Sequence, residues 1–131
     1  MPPLPIGTTF PDETFGLITQ EDIARYARAS GDDNPIHVDA EAARAIGLPG
    51  PVVQGMLMMA YADQALVRWF SEGRIGKLSC RFAAPLLAGD TLTISGRVVQ
   101  VGAPEGQVTL RLMLRNGSAK VVAMGEATVT V

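Results

Sequence analysis

The sixteen residues from Gly55 to Phe70, GMLMMAYADQALVRWF, constrain this chain more than any other stretch. Apolar side chains cover most of the helical circumference, broken by Asp63, Gln64 and Arg68. A helix that is hydrophobic on nearly every face is a buried one. The same three polar residues interrupt it too often for a bilayer span. The rest of the chain must therefore supply a cover for this helix.

The cover is legible downstream. Leu78–Phe82, Thr91–Val101, Gln107–Leu114 and Val121–Val131 alternate apolar with polar or small residues and are rich in β-branched side chains. Gly89-Asp90, Pro104-Glu105-Gly106 and Asn116-Gly117 punctuate them, the last a tight-hairpin signal. These segments predict consecutive antiparallel strands. Upstream, Thr19 and Asp22 form a capping-box pattern ahead of a short amphipathic helix that stops at Ser30-Gly31. Asp39 caps a second short helix through Ala45, with Gly47 closing it and Pro49 and Pro51 blocking its continuation. No repeat, low-complexity tract or linker divides residues 1–131, so one domain is expected. The order of elements predicts an α+β fold with an antiparallel sheet wrapped around the central apolar helix.

Composition limits the function classes. A chain of 131 residues with 47% hydrophobic and 18% charged residues buries a core unaided and is not disordered. One cysteine, Cys80, forms no internal disulfide, and one histidine beside it makes no zinc-type cluster, so no metal site is expected. A net charge of -2 gives no reason to expect nucleic acid or an anionic membrane as partner. MPPLPIGTTF has neither a basic nor an apolar leader region, and a cytoplasmic location is expected.

The chemistry concentrates in Ser30–His37, SGDDNPIH, which holds the single histidine. Asn34-Pro35 keeps this segment out of helix, as a loop between two helices. An imidazole and a carboxylate brought together can manage one water molecule near neutral pH. Asp, Asn and Pro are also ordinary turn residues, and the residue types alone leave both readings open, with Asp32 and Asp33 interchangeable. Asp39 reads as a helix cap. Further on, Gly50–Met56, GPVVQGM, leads into the apolar helix. The first N–H groups of a helix lack internal partners, so Gly55 is placed either to meet a ligand carbonyl or to permit tight packing.

Tyr26–Ala43, YARASGDDNPIHVDAEAA, closely resembles the signature of the R-specific enoyl-CoA hydratases, the MaoC-like dehydratases. That signature has an aromatic residue, then SGDxNPxH, then a small residue six positions beyond the histidine. PVVQGM matches the family segment that opens the central helix, and RFAAPLLAGDTL resembles its strand–turn signature through Pro85, Gly89 and Asp90. The resemblance implies a hotdog fold, usually dimeric, and water addition across the 2,3 double bond of an enoyl thioester to give an R-3-hydroxyacyl thioester, or the reverse. By position it makes Asp32 and His37 the catalytic pair, Asp33 a variable residue, Asn34 a loop-shaping residue and Gly55 the donor to the thioester carbonyl. It implies no cofactor, with CoA or an acyl-carrier thioester as substrate. One departure is Gln54, where many relatives have histidine.

Two other functions are open. A hotdog thioesterase would use a carboxylate on the central helix, where Asp63 sits, although a charge at a dimer contact or near the helix surface is the favoured reading of that residue, because an unpaired buried carboxylate is costly. A non-catalytic subunit paired with an active hotdog chain is the other; retention of Asp32 and His37 argues against it. A homodimer is expected, with a heteromer as the variant. Arg74, Lys77 and Arg81 are placed either to meet the phosphates of a carrier or, the favoured reading, as solvated strand-end charges.

Overall fold

A computed structural model of the chain describes residues 4–102 and 106–131. The expected turn at Pro104-Glu105 therefore lies outside the described residues. The described residues form five strands and three α-helices: β1 Glu13–Phe15, α1 Gln20–Ser30, α2 Ala40–Ala45, α3 Gly55–Trp69, β2 Arg74–Phe82, β3 Leu92–Val101, β4 Gln107–Arg115 and β5 Val121–Thr130. The sheet is antiparallel with the order β1-β3-β4-β5-β2.

Local chemistry sets the helix boundaries. Thr19 caps α1 by accepting from the Asp22 N–H, while the Asp22 carboxylate accepts from the Thr19 N–H at 2.9 Å. Gly31, at φ 74°, ends the helix in the left-handed conformation that glycine adopts without strain. Asp39 caps α2 by accepting from the N–H groups of Glu41 and Ala42. Both caps fall where the sequence places them.

Alternation builds the sheet. Leu92, Ile94, Val98, Val108, Leu110, Leu112 and Leu114 are buried on its inner face, where they meet Met58, Ala62, Ala65 and Leu66 of α3. Each large aliphatic side chain so buried contributes roughly 1.5–3 kcal/mol. Trp69, at the end of α3, lies over Gly96 of β3. Its ring stacks on Phe10 at 5.3 Å, and its Nε1 donates to the Pro11 carbonyl at 2.9 Å.

Three expectations change. The helix α3 is covered on one side only: Met56 is 61% exposed and Val67 52% exposed, with Asp63 exposed on the same outward side. A single sheet layer encloses half of a helix, whatever side chains occupy the other half. Asp63 thus takes the surface position rather than a site facing the core. The hairpin at Asn116-Gly117 is also longer than a two-residue turn, and its positive φ falls at Ala119. Gly117 is needed for another reason. Its N–H donates to Asp90 Oδ1 at 2.9 Å, and a Cβ there would lie 2.5 Å from that oxygen. Finally, β1 was not foreseen; its three residues pair with Leu92–Ile94.

Candidate active site

The loop after α1 is shaped by its own side chains. The Ser30 hydroxyl accepts from the Asp32 N–H at 3.3 Å, Asp32 Oδ1 from the Asn34 N–H at 3.2 Å, and Asn34 Oδ1 from the Ile36 N–H at 3.2 Å. Each bond is a turn closed by a short polar side chain. They deliver the chain into a single 3-10 turn, Pro35–His37, capped by Asn34. Asn34 thus accepts from the turn that it precedes and caps it.

The turn carries His37 inward. Its side chain is 11% exposed, and Nδ1 lies 2.9 Å from the Val52 carbonyl oxygen. A carbonyl only accepts, so Nδ1 carries the proton, which leaves Nε2 with its lone pair in the neutral ring. Nε2 lies 3.4 Å from Asp32 Oδ2. That carboxylate is 37% exposed and holds Oδ1 back for the loop. Two acceptors thus face one another at a distance that a donor placed beside both can bridge. Asp33 is exposed and stands apart from this pair.

The imidazole is tied down from several sides. Val52 accepts from His37 through its carbonyl and donates its N–H to the Ile36 carbonyl at 3.2 Å. Gln20 Nε2 donates to the His37 carbonyl at 2.8 Å. Gln54, 1% exposed, donates from Nε2 to the Ile23 carbonyl at 2.9 Å, so it joins α1 to the start of α3. Its Oε1 is buried with no hydrogen-bond partner among the described residues. Gln20 and Val52 escaped the sequence reading because each acts through a backbone group distant in the chain. No periodicity marks such a contact.

Gly55 opens α3 three residues beyond Val52, and Gln54 provides no side-chain cap to that helix. A Cβ at Gly55 would lie 3.0 Å from the ring of Phe82. A side chain here would therefore have to displace the half-exposed Phe82 ring by a few tenths of an ångström. The N–H of Gly55 has no acceptor among the described residues, and it sits at the positive end of the helix dipole. Two hollows of about 600 and 560 Å³ lie elsewhere, against strands of the sheet and without His37 or Asp32 in their walls. Among the described residues no group of three or more His, Cys, Asp or Glu side chains is placed to hold a metal ion. No helix there is long and apolar enough to cross a membrane.

Residues 5–116 match the family model described as MaoC like domain. The 3-hydroxyacyl-thioester dehydratase Y of Mycobacterium tuberculosis is 33% identical, the match taking in 86% of this chain and 43% of that protein. The chain thus spans less than half of that relative, and 14% of the length of another. Among solved structures, R-hydratase PhaJ1 from Pseudomonas aeruginosa superposes with a TM-score of 0.87 at 27% identity, over 98% of this chain and 82% of that one. The ChsH1-ChsH2 complex from Mycobacterium tuberculosis includes a chain of the same fold, with a TM-score of 0.86 at 22% identity over 96% and 97%.

Proposed function

Because this chain belongs to the MaoC-like domain family, we propose that it is a hydro-lyase that adds water to trans-2-enoyl thioesters, or removes it from R-3-hydroxyacyl thioesters. The observation that carries this reading is the pairing of Asp32 Oδ2 with His37 Nε2 at 3.4 Å, with Nδ1 already committed to the Val52 carbonyl. The R stereochemistry rests on the family alone.

The geometry suits the chemistry. Water offers two O–H donors to the two acceptors, which turns a lone pair of its oxygen away from both. That lone pair attacks C3 of the enoyl thioester. As the C3–O bond forms, the proton leaves for the pair, and electron density moves through C2 to the thioester carbonyl oxygen. The N–H of Gly55 donates to that oxygen, a contribution of about 3 kcal/mol for one well-placed donor. A proton returned at C2 completes the addition of one water molecule. Dehydration is the same sequence reversed. No electrons are exchanged with a carrier, so the reaction asks for no redox cofactor; CoA or an acyl carrier would be part of the substrate.

We also propose that two copies associate. Strand β2, nine residues long, ends the sheet with one side unpaired among the described residues, and the uncovered side of α3 presents Met56 and Val67. An unpaired edge strand is a ready template for a second strand. Light scattering on the purified chain reads this directly: mass near twice 13.8 kDa supports a homodimer, a monomeric mass opposes it, and co-purification with a different hotdog chain replaces it with a heteromer. The reading keeps the cytoplasmic location expected from the sequence, which cell fractionation checks.

The activity is tested with enoyl-CoAs of graded length beside a saturated acyl-CoA. Hydration is expected to remove the enoyl-thioester absorbance without releasing thiol. Release of free CoA from both substrates would instead establish a thioesterase.

A further inference from the structure

The sheet face turned away from α3 carries charges that the proposed reaction leaves unused. Strand register sets Arg97 opposite Arg111, Arg111 opposite Glu126, and Glu126 opposite Ser79. The neighbouring row runs Ser95, Met113, Met124, Arg81. Lys77 pairs with Thr128, Arg74 with Thr130 and Arg115 with Thr93, which completes six cations on one face. None of the six lies within 4 Å of a carboxylate among the described residues, where Arg68–Glu13 is the one such pair that an arginine or lysine makes. Glu126 and Asp12 are the carboxylates in the walls of the two hollows. Arg111 lines both hollows, flanked by Arg97 and Arg115 in one and by Arg81 in the other.

This arrangement has a cost. Like charges set directly opposite each other across an antiparallel pair destabilise it, and Arg97 faces Arg111 in that way. The rest of the chain has the opposite balance: residues 19–45 hold six carboxylates against three guanidinium groups. Positive charge is gathered on the outer sheet face in a protein whose net charge is -2.

We propose that this face docks an acidic protein partner that presents a run of carboxylates to Arg97, Arg111 and Arg81. The spread of the cations selects a protein surface over a single phosphate. They reach from β3 to β2, about 14 Å at the usual spacing of neighbouring strands, and do not converge on one point. Met113 and Met124 lie among them, and arginine with methionine is the pairing enriched at protein interfaces. Such a surface steers encounter through its field and loses that advantage in salt. The proposal does not depend on the reaction assigned above.

The test uses the full chain and a fluorescein-labelled glutamate-rich peptide, followed by anisotropy. Binding is expected at low salt, with a loss in 0.5 M sodium chloride and a reduction of about tenfold in R97Q/R111Q. R25Q/R28Q, which removes two α1 charges outside the face, is expected to bind like the parent. Since R97Q relieves the opposed pair and leaves Arg111 opposite Glu126, its melting temperature is expected to hold or rise; a fall would make Arg97 a structural residue and overturn the proposal. Equal binding by R97Q/R111Q would overturn it as well. So would tighter binding of tripolyphosphate or of a single-stranded oligonucleotide than of the peptide, and so would salt-sensitive self-association of the chain alone, which would make its own acidic side the occupant.

Discussion

Asp32 and Asp90 both follow glycine in a turn, and they end in opposite employment. Asp90 spends Oδ1 on two backbone donors, Thr91 N–H at 2.7 Å and Gly117 N–H at 2.9 Å, so it clamps the β4–β5 hairpin to the start of β3. Its backbone also engages Ile18, accepting that residue's N–H at 2.9 Å. Asp32 spends Oδ1 on one local donor and leaves Oδ2 facing the imidazole of His37. One carboxylate holds separate parts of the fold together, whereas the other has an oxygen left for chemistry. A Gly-Asp pair in a loop carries no function by itself; what the second oxygen meets decides it.

Substitutions should split the two roles cleanly. The largest effect is expected from Asp32→Asn or His37→Ala, each lowering hydration turnover by about 10²–10⁴-fold, the range for loss of a general acid or base. Circular dichroism should stay near the parent in both, and melting temperature in Asp32→Asn, whereas His37→Ala should melt somewhat lower because it leaves the Val52 carbonyl without its donor. Near-parental turnover in either variant would mean that the pair is wrongly assigned. Asp90→Ala should do the reverse, costing roughly 1.5–3 kcal/mol in urea unfolding through its lost charged hydrogen bonds, with kcat little changed. If Asp90→Ala lost turnover while keeping stability, the contrast between the two aspartates would collapse.

Smaller effects refine the picture on the α1 side. Thr19→Ala should destabilise by about 1 kcal/mol, the usual value of an N-cap, read from the same urea midpoints. The partner in that capping box gives a pH signature. Hydrogen bonds from the Thr19 backbone and side chain hold the Asp22 carboxyl below its ordinary value of 3.8. Its folded pKa is thus depressed, so the stabilisation is present above the unfolded value and lost as pH falls through the folded one. Asp22→Asn and the parent should therefore differ at about pH 5 and converge towards pH 2.

Much of this molecule was written in local pattern. Alternation marked β2 to β5, and polar side chains at Thr19 and Asp39 marked two helix starts, because each signal lies within a few residues of what it specifies. The three residues of β1 are too few to show a period. The bare side of α3 was hidden for a different reason: apolar residues record what a surface needs, not what covers it within one chain. At the site, residue types offered two aspartates without distinction, and the motif resemblance chose Asp32. The structure brings Asp32 to His37 and leaves Asp33 exposed. Gln20, Val52 and Phe82 were illegible, since their contacts join segments that only folding brings together.

Trp69 is the single tryptophan of the chain. Its indole is bonded to Pro11 and stacked on Phe10, so one fluorophore senses whether the N-terminal segment is seated against the sheet. Release of that segment would expose the ring to water and shift its emission to the red. The protein thus carries a built-in optical gauge of how residues 10–11 sit against α3 and β3.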